Sequence, residues 1–504
     1  MKRIANLGIA AAYLLVGGMI LAMAANAFAS AQERTQLYRY FSEALDPIEA
    51  HDASVSWVPA GTPLARPFTE ADEGLVGRAL GDAWRAYAVA MSSGETELLQ
   101  DYYSGVALQR AGAAAAAAHR SGTRLALLDQ TVAPTFYHLD GSVLQVETEA
   151  LSVRFAMDAD RLSYFEVSRD RLRTTLMNET TGLRIFSHEM TGMRAVEERA
   201  RPTRHPGPLA GINYYPARTP WRKFWPEFDP AIIDRDLRLI SDLGANSVRI
   251  FLPTQDFAKA QGDEPLQHLE AFLRLAREHD LKVVPTLFDM NPGYDPTMWS
   301  ASAAYLHRVL PVLSRSDAVA FVDLKNEPDL DVKRYGPALI EAWVRAMSAL
   351  CREIAPDLLL SVGWADAEPA ARYAGLVDVV SYHDYAPIEG TAERLSQVKR
   401  AAGNKPVYVT EIGSSSYQLA LGFPGSPLAQ ERDVADRFSA LDSADGVFVW
   451  TLHDFEAPDA AAVGGSPWVK KLQSEFGLID SSGQPKPAAA AVEAAFEAIL
   501  LGGG

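Results

Sequence analysis

Apolar residues recur with two different periods in the first half of the chain. Between residues 73 and 119 they fall at helical spacing, and the run Ala113–Ala118 favours helix. From residue 124 to 190 the period becomes that of strands, with turn signals such as Asp140-Gly141 between segments. Helices followed by a run of strands predict an α+β unit with helices on one face of a curved antiparallel sheet. The expected strands are 124–138, 142–155, 162–177 and 183–190.

Over residues 72–195 this unit resembles the NTF2-like (cone-shaped) superfamily. The resemblance is carried by Trp84-Arg85-Ala86-Tyr87, by Leu98-Leu99-Gln100-Asp101-Tyr102-Tyr103 and by the closing strand Leu183-Arg184-Ile185. The stretch contains no carboxylate–histidine constellation that indicates catalysis. We therefore expect a docking or spacer domain, which fits an envelope polysaccharide-assembly partner.

A different alternation begins near residue 209 and continues to residue 500. Short apolar strands are each followed by an amphipathic helix, eight times in all, which predicts a (β/α)8 TIM barrel. A doubly wound open sheet would need a glycine-rich turn after its first strand, whereas this strand ends Tyr214-Tyr215-Pro216. Prolines between residues 196 and 210 mark the boundary before the barrel. The expected strands are 211–215, 247–252, 282–288, 318–325, 358–363, 378–382, 406–410 and 446–451.

The N-terminal residues predict export from the cytoplasm. Lys2 and Arg3 precede an apolar stretch over residues 7–25, and Ala27-Phe28-Ala29 fits a cleavage site. Residues 1–29 are therefore a signal peptide or, since the stretch approaches the length of a membrane span, an uncleaved anchor. Either alternative predicts a periplasmic or secreted protein, attached to the inner membrane if the segment is retained. Residues 31 to about 70 are polar and weakly periodic and are expected to be a linker or lead-in.

Charge and cysteine content narrow the function further. The formal net charge of −17 argues against a nucleic-acid partner, which would need clustered Lys and Arg, and favours neutral or cationic substrates. The one cysteine, Cys351, cannot form an internal disulfide and is expected to be buried. An extracytoplasmic protein without a disulfide framework suits a bacterial envelope.

Two glutamates stand where barrel strands end. Glu327 follows the fourth strand in Asn326-Glu327-Pro328, and Glu411 ends the seventh in Thr410-Glu411-Ile412-Gly413. Active sites of this fold lie at the C-terminal ends of the strands, so the two should meet across the barrel mouth. A carboxyl pair about 5–5.5 Å apart is what glycoside cleavage with retention requires.

With these motifs the barrel resembles glycoside hydrolase clan A, most closely family 5 (cellulase-type). The resemblance implies that Glu327 is the general acid/base and Glu411 the nucleophile. At the end of strand three the chain departs from the family, with Phe288-Asp289 in place of the usual histidine. The residues implied to bind substrate or to orient Glu411 are Asn326, Arg249, His383, Tyr385 and Trp450.

Several candidate residues allow a purely structural interpretation as well. His383 and Tyr385 could form a satisfied polar cluster at the barrel rim instead of contacting the substrate. Arg249 could pair with Asp289 or another carboxylate instead of Glu411. Trp221 and Trp225, in the first βα loop, fit a sugar platform or a hydrophobic plug. His453-Asp454 lacks a third ligand at a characteristic spacing, so no metal is expected there.

The leading hypothesis is an O-glycosyl hydrolase of retaining mechanism. Its substrate would be a β-linked polysaccharide or oligosaccharide, β-glucan or β-mannan, cleaved in endo fashion without a cofactor or metal. A transglycosylase is the first alternative. The second is a non-catalytic polysaccharide-binding component of exopolysaccharide assembly, because fold alone does not fix function.

Overall fold

The computed structural model describes residues 54–179, 182–196, 204–258, 261–290, 293–420 and 423–502. The expected signal or anchor, residues 1–29, lies outside them. Among the described residues no helix combines the length and the apolarity needed to cross a membrane.

The N-terminal unit is a five-stranded sheet covered by two helices. Strands β2 to β5 form an antiparallel meander, and β1 pairs in parallel with β2. Helix α1 begins after Thr69, which forms a capping box with Asp72. The domain bounds and the NTF2-like assignment stay predictions. The elements are β1 (Ser54–Trp57), α1 (Glu70–Ser93), α2 (Gly105–Arg120), β2 (Thr123–Tyr137), β3 (Val143–Asp158), β4 (Arg161–Glu179) and β5 (Gly182–Ala195).

Strand β1 was not predicted, because residues 31–70 were expected to be only a lead-in. A strand of four residues is too short for its alternation of inward and outward side chains to be recognised in the sequence. Val55 and Trp57 pack against the core beneath the helices, which ties the strand to the domain.

Both faces of the sheet contribute buried residues. One face packs under α1 and α2, with Val76 and Leu80 of α1 against Leu144 and Leu176. The other face packs on the barrel, where Leu128, Leu151, Val153 and Phe155 share one core with the barrel helices. The N-terminal domain is therefore docked on the barrel by an apolar surface.

Eight parallel strands close the barrel, in agreement with the predicted TIM-barrel fold. Strand β7 is buried along its whole length, as expected for a parallel strand covered on both faces. A separate pair of short strands, β13 (Gln418–Ala420) and β14 (Phe423–Pro424), follows the seventh barrel strand. The barrel strands are β6 (Leu209–Asn213), β7 (Ser247–Pro253), β8 (Lys282–Asp289), β9 (Val322–Asn326), β10 (Leu360–Trp364), β11 (Val380–His383), β12 (Val407–Ile412) and β15 (Gly446–Trp450).

Helices surround the barrel, and α7 shows why they form where they do. It begins with Pro337 in its first turn and buries a stripe that includes Ile340, Trp343 and Met347. Short 3₁₀ turns connect several elements, among them Pro296–Met298 and Pro328–Asp331. The helices are α3 (Pro230–Asp242), α4 (Glu264–Glu278), α5 (Trp299–Ser314), α6 (Val332–Tyr335), α7 (Pro337–Ile354), α8 (Ala367–Tyr373), α9 (Thr391–Ala402), α10 (Pro427–Ala440), α11 (Ala460–Val463), α12 (Pro467–Ser474) and α13 (Pro487–Gly502).

Candidate active site

Glu327 and Glu411 lie together at the C-terminal end of the barrel. Glu411 belongs to β12, and Glu327 follows β9 directly. The backbone N–H of Glu327 donates to the carbonyl of Gly363 on the neighbouring strand at 2.7 Å. One carboxylate oxygen from each glutamate and a ring nitrogen of His383 lie within 4.8 Å of one another. Because two carboxylates this close repel each other, the pair favours a state in which one of them carries a proton.

Arg249 links the site to the interior of the barrel. It is fully buried, and its Nη1 donates to Glu411 Oε1 at 2.6 Å. On its other side, Nη2 and Nε donate to Asp323 Oδ2 at 2.7 and 3.1 Å. Arg249 therefore pairs with Asp323 and with Glu411, and not with Asp289.

Two asparagines complete the surroundings of Arg249. Asn213 and Asn326 accept from its guanidinium at 3.0 and 2.9 Å. Asn213 is buried and donates in turn to the carbonyl of Thr410, next to Glu411. Asn326 is only partly buried, so its amide borders the open side of the site.

Tyr385 holds the second oxygen of Glu411. Its hydroxyl donates to Glu411 Oε2 at 2.9 Å, while Arg249 occupies Oε1. Burial raises the pKa of the Glu411 carboxyl, and the nearby charge of Glu327 adds to the rise; His383, Arg249 and Tyr385 act in the opposite direction. The donors therefore stabilise an anion that burial alone would disfavour.

His383 lies against Glu327. Its Nδ1 is 2.9 Å from Glu327 Oε1, and its Nε2 is 3.7 Å from Glu411 Oε1. Burial lowers the pKa of the His383 imidazole to about 4, so the ring is neutral near pH 7. A neutral imidazole can donate to an ionised Glu327 or accept from a protonated one, which suits a carboxyl that gives up and regains a proton.

The aromatic residues at the barrel mouth are mostly internal. Trp450, at the end of β15, is 4% exposed and packs edge-on against Tyr215 and Phe251. Trp221 and Trp225 are 0% and 1% exposed. The first βα loop is therefore closed by a hydrophobic plug, and the sugar-platform interpretation of these two tryptophans is wrong.

Asp289 is the residue at which the sequence departs from the family 5 pattern that the barrel otherwise resembles. It is buried at the end of β8 and accepts from the Tyr215 hydroxyl at 3.2 Å. Burial raises the pKa of the Asp289 carboxyl, and the positive charge of Lys325 opposes the rise. This side of the site thus has a carboxylate–tyrosine pair in place of an imidazole.

Glu327, His383 and Glu411 are also close enough together to be considered as metal ligands. The Arg249 guanidinium, 2.6 Å from Glu411, makes a divalent cation unfavourable there, so the geometry favours proton chemistry. At His453-Asp454, the histidine lies 3.2 Å from Asp236 and the aspartate accepts from Lys486 at 2.6 Å. Both side chains are thus engaged by the protein itself.

Sequence reasoning assigned no role to Asp323 or Asn213, although both lie in strands that the sequence predicted. A signal was present: Asp323 and Arg249 are charged residues inside predicted buried strands, and a buried charge requires a partner. Arg249 and Asp323 are 74 residues apart, so their contact could be predicted only with knowledge of how the strands align.

Comparison with known proteins supports the barrel fold through solved structures. No protein-family model matches this chain, and no curated protein matches its sequence. Among solved structures, the exo-β-1,4-mannosidase Op5Man5 from Opitutaceae bacterium strain TAV5 is 23% identical with a TM-score of 0.50, over 59% of this chain and 60% of the mannosidase. The match therefore spans about three fifths of that enzyme.

Two further solved structures are those of GH5_18 proteins. The one from Streptomyces cattleya, in complex with GlcNAc, is 22% identical with a TM-score of 0.48, over 58% of this chain and 80% of that one. The one from Bifidobacterium longum subsp. infantis is 19% identical with a TM-score of 0.47, over 58% and 79%. At this level of identity the comparisons bear on fold, and the fold they support, through the mannosidase, is the (β/α)8 barrel seen here.

Proposed function

We propose that the barrel is a retaining glycoside hydrolase that cleaves a β-linked polysaccharide through a glycosyl-enzyme intermediate. The observation that carries the proposal is the carboxyl pair at the ends of β9 and β12, with oxygens within 4.8 Å of each other. Retaining enzymes keep their two carboxyl groups about 5–5.5 Å apart, whereas inverting enzymes need about 6.5–9.5 Å to admit a water molecule. The short separation supports direct attack by a carboxylate.

In the first step one oxygen of Glu411 attacks the anomeric carbon. The bond from that carbon to the glycosidic oxygen breaks, and Glu327 gives its proton to the departing oxygen. In the second step Glu327 takes a proton from water as the water oxygen attacks the anomeric carbon. The bond from the anomeric carbon to Glu411 breaks as the bond to the water oxygen forms, so Glu411 leaves as a carboxylate, Glu327 is protonated, and both carboxyl groups are in their starting states.

The surrounding residues fit these roles. Arg249 and Tyr385, each donating to one Glu411 oxygen, keep the nucleophile ionised and oriented. Asn326, on the open side, would bond the sugar 2-hydroxyl, a contact that strengthens at the transition state. Trp450 would border the sugar ring, and His383 would support Glu327 as it changes protonation.

For the substrate we propose a β-glucan or β-mannan cleaved in endo fashion outside the cytoplasm. The net charge of −17 favours a neutral or cationic polymer over an acidic one. Mannan also belongs among the substrates tested because a solved barrel of the same fold is an exo-β-1,4-mannosidase.

The test is release of reducing ends by the chain from β-glucans, mannans and xylans, with Glu411→Gln as a matched control. Release that disappears in the control supports the proposal and names the substrate class. Longer products alongside shorter ones would indicate transglycosylation. Saccharide binding unchanged by Glu411→Gln, with no release from any polymer, would overturn the hydrolase in favour of a binding-only barrel.

A further inference from the structure

The N-terminal sheet packs on the barrel at the helix that follows the third barrel strand. Leu151, Val153 and Phe155, on one face of β3, are buried in the barrel's core. The ring of Phe155 stacks on Trp299 with 5.3 Å between centroids and 8° between planes. Trp299 is fully buried and is the first residue of α5, the helix that follows the third barrel strand.

Two hydrogen bonds connect Trp299 to the turn that carries Glu327. Trp299 Nε1 donates to the carbonyl of Tyr294 at 2.9 Å, and the Tyr294 hydroxyl donates to Asp331 Oδ2 at 2.9 Å. Asp331 ends the 3₁₀ turn that begins directly after Glu327. Tyr294 is 1% exposed and packs edge-on against Trp343, which fixes its position.

Glu327 has a backbone conformation that needs support. Its φ of 46° and ψ of 52° lie in the left-handed region. For a residue with a side chain this region costs about 1–2 kcal/mol, and it persists where neighbouring structure imposes it. On one side Gly363 accepts from the Glu327 N–H. On the other, the turn that follows is held at Asp331 by Tyr294.

We infer that the N-terminal domain braces the general acid. Phe155 fixes Trp299, Trp299 and Tyr294 fix Asp331, and the turn between Asp331 and Glu327 presents the carboxyl to the glycosidic oxygen. The inference rests on the proposed function of Glu327. It makes the N-terminal domain part of the catalytic unit and gives Phe155 and Tyr294 the role of positioning residues.

The test uses two conservative variants of the full chain, Phe155→Leu and Tyr294→Phe. Each is assayed on 2,4-dinitrophenyl and 4-methoxyphenyl β-cellobiosides and β-mannobiosides. The dinitrophenolate leaves without protonation, so a misplaced acid affects only the methoxyphenyl substrates. We expect kcat/KM to fall about tenfold for methoxyphenyl and less than about threefold for dinitrophenyl substrates, as for one weakened polar contact.

Two controls separate bracing from general damage. Arg169→Gln removes the interdomain contact to Glu353, at 3.0 Å, which is not on this path, and should leave the ratio of the two rates unchanged. In the double variant Phe155→Leu/Tyr294→Phe, the fold-loss in kcat/KM on methoxyphenyl substrates should be smaller than the product of the two single fold-losses, because both residues act through one connection. Equal losses on both leaving groups, or a fully multiplicative double variant, would overturn the inference.

A measurement without substrate keeps the inference separate from the proposed function. Amide hydrogen exchange over residues 326–331 should be faster in Phe155→Leu than in the unaltered chain, and unchanged in Arg169→Gln. Unchanged exchange in Phe155→Leu would overturn the brace whatever the activity. An unaltered chain that cleaves no glycoside, with exchange altered as expected, would overturn the proposed function and leave the mechanical connection standing.

Discussion

Replacing Tyr385 with phenylalanine tests how the site keeps Glu411 ionised. The change removes one hydroxyl, which donates to Glu411 Oε2 at 2.9 Å, and keeps the ring. Arg249 remains on Oε1, so the carboxylate loses one of two strong donors. The fold should be preserved, because the side chain is only partly buried and the new one has nearly the same shape.

The expected size follows from the charge on the acceptor. A hydrogen bond to a charged group contributes about 1.5–3 kcal/mol, and about 1.36 kcal/mol corresponds to one pKa unit. Loss of a bond that favours the anion should therefore raise the pKa of Glu411 by about one to two units. Because Glu411 attacks as the anion, the acid limb of the pH profile of kcat/KM should move to higher pH by that amount.

The assay is kcat/KM of Tyr385→Phe and the unaltered chain from pH 3.5 to about 9 on a dinitrophenyl glycoside, whose leaving group needs no proton. At low pH the kcat/KM of Tyr385→Phe should be about 10- to 150-fold below that of the unaltered chain. This difference should shrink at pH values above the acid limbs of both proteins. A limb that stays in place or moves to lower pH would refute the role of Tyr385 in stabilising the ionised nucleophile.

Three further predictions concern the acid, the packing beneath the site and the thiol. Glu327→Ala should lower kcat/KM on polysaccharide by orders of magnitude but lower kcat/KM on dinitrophenyl glycosides, which reports formation of the glycosyl-enzyme, far less; equal losses in kcat/KM would count against Glu327 as the acid. In Gly363→Ala the new Cβ would lie 2.5 Å from Asp323 Oδ2 and 3.0 Å from Arg249 Nη2, so the melting temperature should fall with a loss of about 1–3 kcal/mol, whereas Gly465→Ala, with open space around it, should change neither stability nor turnover. Cys351 is 1% exposed and burial raises the pKa of its thiol to about 12, so a disulfide reagent should label it only after unfolding; rapid labelling of the native chain would contradict the packing of α7.

The barrel was largely predictable because its signals are local. Each strand is a short apolar run followed by an amphipathic helix, and in α7 Pro337 sets the start while one apolar stripe runs to Ile354. The positions of Glu327 and Glu411 followed from the rule that strand ends converge at one face.

What the sequence did not reveal depends on contacts between distant residues. Arg249 on β7 meets Asp323 on β9 because of the register in which both strands pair with β8, which lies between them. The burial of Trp221 and Trp225 reflects how the first βα loop folds back on the barrel, which its composition leaves open. The stacking of Phe155 on Trp299 joins two domains and has no signature in either segment alone.

The central claim is that Glu411 becomes covalently attached to the sugar. The most direct test is incubation of the chain with 2-deoxy-2-fluoro β-glycosides carrying a dinitrophenolate leaving group, followed by mass spectrometry of its peptides. A 2-fluoro glycosyl adduct on the peptide that contains Glu411, absent in Glu411→Gln, is the result that the account predicts. An adduct on Glu327 or on another carboxylate, or sustained turnover of ordinary glycosides with no adduct at all, would contradict it.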